Sequence, residues 1–522
     1  FLMSTDAEIK ALRDEVSQLQ QQLAELKQRS EWVTDVVTPE RAHGAVTIPI
    51  RGQSSTEVRK VIEDAHALDF RQELNTSSYV NVSFEDDEEQ VALMGLRVNL
   101  ADQTVYPESF RIHDQVVNMV AQLWHCPVPD DFDERGVYPG AGTVGSTEAC
   151  LLAGLALKFR WRHWYAKHKN IALDDTLGIR PNLVISTLFQ AAWEKFFRYM
   201  DVDCRLVSPE SSSFKVTPEA VAEAIDEHTI GVVCIMGNHY GGQYDPVWEI
   251  DAMLSQLNRD RGFQVGIHVD AASGGFVAPF QDDLPPWDFR LPHVLSISSS
   301  GHKYGESCCG TGWVVWRQRE DLSAHVAVSV TYLGGNAESY TLNFSRPASG
   351  VYVQYYKFLR YGREGYRRNV ARMMALAADI RQHLRDMVDA NDTPRFVFLD
   401  DGDQGCLPVV TAMLNPAMQA TYDDIDLQHV LSQYHWYVSG YKMGYLDPLT
   451  DVMEPLFVDQ SADKTMFRIV VKANLTYAMI HNLVESLEAA FDLLDGVDFS
   501  SLHAVDSAAL RHPRRRQLSH HC

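Results

Sequence analysis

Apolar residues recur along this chain with two different periods, and the order of these periods predicts its architecture. Short apolar runs typical of buried strands lie at Asn182–Ser186, Ile230–Met236, Val265–Asp270, Val294–Ser298 and Gly312–Trp316. Amphipathic stretches with helical spacing separate several of these runs, among them Pro218–His228 and Val247–Arg261. Strands that alternate with helices predict a doubly wound α/β fold, in which a mainly parallel sheet carries helices on both faces. Ligands bind such sheets at the carboxyl ends of the strands.

The two ends of the chain have a different pattern. Near the start, apolar residues occupy the a and d positions of a heptad, namely Ile9, Leu12, Val16, Leu19, Leu23 and Leu26. A helix with so narrow an apolar seam must bury it, which favours a coiled coil between subunits over packing within one subunit. The stretch 38–52 is typical of a linker. Further on, the spacing predicts a long helix over Arg363–Asp389 that crosses into a smaller C-terminal domain, and a last helix from Thr476 to Leu494.

Composition narrows the classes of function. The chain has 522 residues, enough for more than one domain, and a formal net charge of −24, which argues against a nucleic acid or an anionic membrane as partner. No apolar run approaches the roughly 20 residues that span a bilayer, and no charged-then-apolar leader resembles a secretion signal. The eight cysteines form no Cys-x-x-Cys pair. This usage predicts reduced thiols in a cytoplasmic protein without a metal site.

Two polar residues follow successive strands and give the first indication of chemistry. Lys303 lies in a small polar loop behind Val294–Ser298. A partly desolvated lysine loses proton affinity and becomes a nucleophilic amine. Asp270 ends the preceding strand, where a carboxylate is costly unless it meets a cation, such as the protonated pyridine nitrogen of pyridoxal phosphate. Each residue alone is better explained as part of a turn or a strand end, but together they favour a cofactor.

Two further positions are suited to anions. Ser146 follows small residues and begins a long helix, so that its backbone N–H group and hydroxyl lie at the positive end of the helix dipole. A plain helix cap is the alternative interpretation of Ser146. Arg468 interrupts the apolar strand Thr465–Val471, where a guanidinium should face an anion. For Arg468 the alternative is an internal salt bridge.

Several segments of the chain resemble glutamate decarboxylase, a pyridoxal-phosphate enzyme with the fold of aspartate aminotransferase. They are Asn118–Ala121, Leu123–His125, His268–Phe276, Trp287–Pro292, Ser296–Lys303, Tyr332–Gly335 and Asn343–Pro347. The resemblance runs from about Leu74 to about Leu494 and implies fold type I, an α/β class with a large domain around a mainly parallel seven-stranded type of sheet and a smaller α+β domain. The predicted division is a coiled-coil-like helix (1–37), a segment with substrate loops (38–110), the cofactor domain (111–365), the C-terminal domain (366–497) and a flexible basic tail (498–522).

The resemblance also implies roles for individual residues. Lys303 would bear pyridoxal phosphate, Asp270 would contact its pyridine nitrogen, and Tyr332, in a mobile-loop motif, would return a proton to the substrate carbon. The other cofactor-binding residues that it implies are Ser146, Thr147, Gln190, His239, Ser273, Ser300 and His302. For the substrate it implies Arg468 at the α-carboxylate, Ser78 and Asn99 at the side-chain carboxylate, and Asp102 in the same substrate-binding segment as Asn99.

His239 departs from the family pattern, which has a threonine at this position near the cofactor. An imidazole is larger and titrates near neutral pH, so this residue bears on substrate choice and on the pH optimum. The sequence as a whole predicts decarboxylation of L-glutamate to 4-aminobutyrate and CO2. The alternatives are decarboxylation or oxidative decarboxylation of another amino acid, such as aspartate, cysteine sulfinate or an aromatic one, and a cofactor-free oligomeric scaffold. The resemblance implies a homodimer as the minimal unit, which the N-terminal helix would extend to a hexamer or another higher oligomer.

Overall fold

The computed structural model describes residues 16–22, 48–322, 326, 328–330, 337–399 and 405–497. Two compact units divide the chain, Phe1–Arg71 and Gln72–Cys522. In the first unit, residues 16–22 are helical and helix α1 spans Ser55–His66. Most of the predicted heptad lies outside the described residues, and the finer domain boundaries stay predictions.

The helices and strands of the second unit follow in chain order. Its α-helices are α2 (Asp86–Gly95), α3 (Pro107–Leu123), α4 (Phe132–Arg135), α5 (Ser146–Lys169), α6 (Ala191–Met200), α7 (Pro218–Ala224), α8 (Val247–Arg261), α9 (Arg319–Leu322), α10 (Ser349–Asp386), α11 (Asp424–Leu431) and α12 (Tyr477–Asp495). Its strands are β1 (Gly140–Val144), β2 (Asn182–Ser186), β3 (Asp203–Val207), β4 (Thr229–Ile235), β5 (Ile267–Asp270), β6 (Val294–Ser300), β7 (Thr311–Trp316), β8 (Val328–Val330), β9 (Ala337–Ser339), β10 (Phe396–Phe398), β11 (Val409–Leu414), β12 (Ser439–Lys442), β13 (Gly444–Leu446), β14 (Met453–Pro455) and β15 (Thr465–Val470).

A mixed sheet of seven strands forms the centre of this unit, in the order β1-β7-β6-β5-β4-β2-β3. Strands β6, β5, β4, β2 and β3 pair in parallel, and only the pairs that involve β7 are antiparallel. Every residue of β4, β5 and β6 is buried, because helices cover both faces of the sheet. The predicted α/β fold with a mainly parallel sheet is therefore confirmed. Its parallel order brings the carboxyl ends of β4, β5 and β6 to one edge.

A second, antiparallel sheet in the order β10-β11-β15-β12 forms the smaller α+β part. The middle strand β15 is buried from Met466 to Val470, and Arg468 lies at its centre opposite Thr411 and Ser439. A guanidinium in the middle of a buried strand needs several acceptors, which makes this position a candidate for a functional site.

Helix α10 differs from its prediction at the start. It begins at Ser349 and not at Arg363, and Gly362 breaks its helical geometry with φ 59° and ψ −178°. The sequence pattern detected only the part after this break. Helix α7 is likewise shorter than the predicted stretch Pro218–His228, because it ends at Ala224 and residues 225–228 lead directly into β4.

The substitution Gly362→Ala is expected to lower the free energy of unfolding by about 1–3 kcal/mol, because only glycine adopts this backbone geometry without strain. The added methyl group itself would meet no atom within 4 Å, so steric overlap is not the cause. Gly178→Ala is the matched control, since its Cβ would also meet open space and its φ is not positive. Urea unfolding of both variants measures the difference, and equal stabilities would contradict the strain argument.

Within the described ranges, no helix is long and apolar enough to cross a membrane. The same part of the chain contains no group of three or more His, Cys, Asp and Glu side chains that could hold a metal ion. Its cysteines are all free thiols, namely Cys126, Cys150, Cys204, Cys234, Cys308, Cys309 and Cys406.

Candidate active site

Lys303 lies in the loop that follows β6, at the edge where the parallel strands end. Its Nζ donates a hydrogen bond to Ser273 Oγ at 3.3 Å, in the loop that follows β5. The same Nζ lies 5.4 Å from the ring centroid of Tyr79, a cation–π contact. The lysine is partly buried. The amine is therefore held between two neighbouring loops and an aromatic face.

Asp270 ends β5, and its carboxylate is buried with only 3% of the residue exposed. Oδ2 accepts a hydrogen bond from Trp193 Nε1 at 2.8 Å and contacts the Cys150 thiol at 3.8 Å. Oδ1 accepts from the backbone N–H of Ala272 at 3.0 Å. Burial, and next the charge of Asp270, raises the pKa of the Cys150 thiol well above its usual value, so this thiol stays protonated. The carboxylate is thus held in one orientation by donors and has no cation among these partners.

His268 lies two residues before Asp270 on the same strand and therefore on the same face of the sheet. Its ring nitrogens lie 2.8 Å from Ser296 Oγ and 3.0 Å from Ser298 Oγ on β6. Burial lowers the pKa of His268 to about 3, so the ring is neutral at physiological pH. A neutral ring adds no second charge next to the buried carboxylate.

A candidate anion site lies at the start of α5. Gly145 has φ 80°, and Ser146 is the first helical residue, so that the backbone N–H groups of the first turn have no helical partner. A Cβ on Gly145 would lie 3.7 Å from His302 Cε1, which places the His302 ring beside this helix start. Ser300 Oγ is buried and lacks a hydrogen-bond partner among the described residues. An oxyanion at this position would satisfy such a hydroxyl.

The His302 ring is neutral in this structure. Its Nδ1 donates a hydrogen bond to the carbonyl of Thr311 at 2.7 Å, which leaves Nε2 without a proton in the neutral form. Burial, and next the charge of Lys303, lowers the pKa of His302 to about 4. A bound phosphate dianion would oppose this effect, because negative charge favours the protonated ring.

Arg468 of β15 is 1% exposed and faces the same region as Lys303. Its Nη1 donates to the carbonyl of His239, and its Nη2 donates to the carbonyl of Ser77 at 2.7 Å and to Ser439 Oγ at 3.2 Å. Among the described residues no carboxylate pairs with it, and its buried Nε has no hydrogen-bond partner. The guanidinium carbon lies 5.1 Å from the Tyr79 ring, so that this ring contacts both Lys303 and Arg468.

His239 lies beside Tyr79 and Arg468. Its ring centroid is 5.8 Å from that of Tyr79, and its carbonyl accepts hydrogen bonds from Tyr79 Oη at 3.1 Å and from Arg468. Burial lowers the pKa of His239 well below its usual value, and the charges of Arg468 and Lys303 lower it further. The expectation that this imidazole titrates near neutral pH is therefore wrong, because burial, and next the charges of Arg468 and Lys303, disfavour its protonation. The imidazole still occupies space beside the Tyr79 ring.

The other predicted residues are placed as follows. Gln190 directly precedes α6, the helix that contains the Trp193 side chain bound to Asp270. Thr147 follows Ser146 in the first turn of α5. Ser78 Oγ accepts from the N–H of Val80 at 3.2 Å, next to Tyr79. Tyr332 lies outside the described residues.

Asn99 and Asp102 are not brought to the lysine. Asn99 Nδ2 donates to Ser345 Oγ at 3.3 Å, and Asn99 Oδ1 accepts from the N–H of Arg346 at 3.3 Å. Asp102 Oδ1 accepts from the N–H of Val105 at 3.2 Å. None of these hydrogen bonds reaches Lys303 or Arg468.

Three residues that contribute to the site were missed from the sequence: Tyr79, Trp193 and Cys150. A signal existed for Tyr79, since it follows the predicted Ser78 directly. Trp193 and Cys150 lie on helices, where an apolar residue normally indicates core packing. Their polar atoms reach Asp270 only because α5 and α6 pack on the face of the sheet to which Asp270 points.

The residues of this site fit a phosphorylated pyridine cofactor. The partnerless Ser300 hydroxyl and the free N–H groups at the start of α5 suit a phosphate, and the oriented carboxylate of Asp270 suits a protonated ring nitrogen. Lys303 supplies the amine that a carbonyl cofactor requires. The fold and the site together define an α/β enzyme that uses pyridoxal phosphate.

Comparison with known proteins agrees with this class. The pyridoxal-dependent decarboxylase conserved domain matches residues 94–392, and the chain belongs to that family. Within it, the chain is 35% identical to glutamate decarboxylase beta of Listeria monocytogenes, with 81% of this chain and 84% of the relative covered. It is 33% identical to glutamate decarboxylase 5 of Arabidopsis thaliana, with coverage of 86% and 84%. The solved glutamate decarboxylase of Lactobacillus brevis superposes with a TM-score of 0.77 at 33% identity, with 87% and 96% covered. The predicted family resemblance, enzyme class and cofactor are confirmed.

Proposed function

We propose that this enzyme decarboxylates L-glutamate to 4-aminobutyrate and CO2. The observation that carries the proposal is the convergence of Lys303 and Arg468 on the two sides of one site, each within 5.4 Å of the Tyr79 ring, with Asp270 at the neighbouring strand end. The relatives named above are glutamate decarboxylases, which supports glutamate as the substrate. An amine, a buried guanidinium and a buried carboxylate are the groups that this reaction requires.

Cofactor binding is assigned to residues at the strand ends. When bound, pyridoxal phosphate supplies an electron sink that accepts the electron pair left by the departing carboxylate. Lys303 would hold the cofactor through its amine, and the negative charge of Asp270 would keep the pyridine nitrogen protonated. The remaining contacts are assigned to Ser146, Thr147, Gln190, His239, Ser273, Ser300 and His302. Of these, Ser300 has a hydroxyl without a hydrogen-bond partner in the described part of the chain, and Ser273 already contacts Lys303.

Substrate binding is assigned to Arg468 at the α-carboxylate, where the partnerless Nε provides a donor. Ser78 and Asn99 are assigned to the side-chain carboxylate, and Asp102 to the same substrate-binding segment as Asn99. In the described part of the chain, the hydrogen bonds of Asn99 and Asp102 do not reach the Lys303 site. This supports a role for both residues in the active site of the second subunit of a homodimer. The proton that replaces CO2 at the substrate carbon is assigned to Tyr332 or Lys303.

The first experiment incubates the purified enzyme with pyridoxal phosphate and L-glutamate and measures 4-aminobutyrate and CO2 together. Equal amounts of both products are expected. Bound cofactor without either product would contradict glutamate as the substrate, and a panel of aspartate, cysteine sulfinate and aromatic amino acids would then identify the substrate. An aldehyde product would instead indicate oxidative decarboxylation.

Another acidic amino acid is the second candidate substrate, because the ring of His239 lies beside the same Tyr79 ring that Lys303 contacts and takes up room there. His239→Thr is expected to raise the glutamate-to-aspartate ratio of kcat/KM by about 10-fold, since a smaller side chain leaves space for a longer substrate. The hydrogen bonds from Tyr79 Oη and Arg468 go to the backbone carbonyl and should remain, whereas the ring contact to Tyr79 is lost. Because the imidazole is neutral, the pH–rate profile between about pH 5.5 and 8 should stay unchanged.

The control for this variant is His481→Thr, which makes the same change at an exposed position of α12. It should alter neither the substrate ratio nor the pH profile. If His239→Thr has the same glutamate-to-aspartate ratio of kcat/KM as wild type, the His239 ring does not restrict the length of the substrate.

We further propose a homodimer as the minimal unit, in the cytoplasm, with a hexamer or another higher oligomer formed through the N-terminal helix. The exposed apolar residues Val16 and Leu19 of the helical stretch 16–22 and the free cysteines support these assignments. Light scattering of the full chain and of a chain without residues 1–37 would test the assembly. We expect the chain without residues 1–37 to lose the higher oligomers and to keep the dimer. An unchanged mass would contradict the role of the N-terminal helix in forming the higher oligomer.

A further inference from the structure

A fully buried lysine lies between two buried glutamates behind the loop of Lys303. Lys357 of α10 is 1% exposed, and its Nζ lies 2.9 Å from Glu88 Oε2 and 3.8 Å from Glu306 Oε2. Glu88 of α2 and Glu306 are 0% and 3% exposed. With all three groups ionised the cluster has an excess negative charge, and burial of ions is costly unless their geometry is well satisfied. Simple stabilisation is therefore a weak explanation for this cluster.

The two buried carboxylates of the cluster differ in the hydrogen bonds that they accept. Glu306 accepts from Tyr361 Oη at 3.3 Å and from Asn369 Nδ2 at 3.1 Å. Glu88 Oε2 also accepts from the N–H of Glu85, whereas its buried Oε1 has no partner among the described residues. The side chain of Glu85 instead accepts hydrogen bonds from Tyr356 and Arg360 of α10. Glu306 is thus the better satisfied of the two buried carboxylates.

Glu306 is directly linked to the backbone of the active-site loop. Its N–H donates to the carbonyl of Lys303 at 3.1 Å, and its φ of 60° reverses the chain there. The preceding carbonyl, of Gly305, accepts from Tyr366 Oη at 2.8 Å and from Gln354 Nε2 at 3.0 Å. Residues of α10 on both sides of the Gly362 break therefore hold the segment that follows Lys303.

The opposite side of the loop is held by the segment that carries Tyr79. Asn81 donates its backbone N–H to the carbonyl of His302 at 2.8 Å and its Nδ2 to the carbonyl of Glu306 at 2.9 Å. The residues on either side of Lys303 are thereby fixed to the segment whose aromatic ring contacts its Nζ. A displacement of Glu306 would move Lys303 relative to Ser273 and Tyr79.

We propose that Glu306 is a positioning residue for Lys303, held by the buried cation of Lys357, and that Glu88, although nearer to Lys357 Nζ, only balances the charge of that lysine. The proposal rests on Lys303 as the lysine that bears the cofactor. A small misplacement of a reacting group can reduce a rate by about 10²-fold. The pair of Lys357 and Glu306 thus sets the position of the amine through the backbone of the loop.

The test compares Glu306→Gln with Glu88→Gln in the holoenzyme. Each variant removes one of the two negative charges that lie next to Lys357. Of the two glutamates, only Glu306 belongs to the loop of Lys303. We expect Glu306→Gln to lower kcat at least 10-fold, with KM within 3-fold of wild type and an altered visible spectrum of the bound cofactor. We expect Glu88→Gln to leave kcat within 2-fold, although both lower the melting temperature.

Equal losses of kcat in the two variants, or a wild-type kcat and spectrum in Glu306→Gln, would overturn the proposal. If Glu306→Gln does not fold, the triple change Glu88→Gln, Lys357→Met and Glu306→Gln replaces it, because neutral replacement of a buried ionic cluster is often tolerated. The triple variant should fold and still show the lowered kcat, and a wild-type kcat would overturn the proposal. The assay uses the amino acid that wild type decarboxylates, so a failure of glutamate as substrate is visible in the wild type and is distinct from a failure of positioning.

Discussion

Replacement of Lys303 by methionine is expected to abolish decarboxylation, with kcat/KM reduced by about 10⁴-fold or more. Methionine fills a similar volume but has no amine, so that the cofactor cannot be held covalently and the hydrogen bond to Ser273 is lost. The visible absorption of the covalently bound cofactor should disappear as well, although non-covalent binding through the phosphate can persist. Absorption spectra after gel filtration, together with product assays, measure both effects.

Lys158→Met provides the control for this prediction. Lys158 is a buried lysine of α5, and its Nζ donates to the backbone carbonyls of Met200 and Asp201 rather than to the site. Its replacement should lower stability while kcat stays within about 2-fold of wild type. Residual decarboxylation and an intact spectrum in Lys303→Met would show that another amine bears the cofactor.

Asp270→Asn is the second change with a large expected effect, a loss of about 10²–10³-fold in kcat. Asparagine has a similar shape but only one acceptor oxygen, so it can keep only one of the two hydrogen bonds, from Trp193 or from the N–H of Ala272. The negative charge that keeps the pyridine nitrogen protonated is removed, and the electron sink is weakened. The lost acceptor should lower stability moderately, whereas the rate should fall by the much larger factor given above, and urea unfolding together with rate assays would separate the two effects.

Asp245→Asn is the matched control, because Asp245 is equally buried at 3% exposed and follows the neighbouring strand β4. It accepts backbone hydrogen bonds from Ile235 and Val216, and burial raises its pKa to about 6. Its amide variant should change stability but not kcat. A wild-type rate in Asp270→Asn would contradict the assignment of this carboxylate to the cofactor.

The core of the fold could be predicted because its signals are local. The runs at Asn182–Ser186 and Val294–Ser298 match β2 exactly and β6 to within two residues, since buried parallel strands are apolar on both faces. The start of α10 could not be predicted in the same way. Its first part carries Gln354, Lys357 and Tyr361, which look like a polar surface in the sequence but are directed to the loop of Lys303.

The sequence by itself determined the sheet, the strand ends that carry Asp270 and Lys303, and the family to which the chain belongs. Each of these depends on residues that are close in the chain or on motifs of fixed spacing. Only the tertiary structure decided which distant side chains meet at the site. The pairing of Trp193 with Asp270, of Tyr79 with Lys303 and Arg468, and the neutral state of His239 depend on how helices and loops pack and on the charges that burial brings together. Sequence spacing contains no information about these distances, because they arise between elements that lie far apart in the chain.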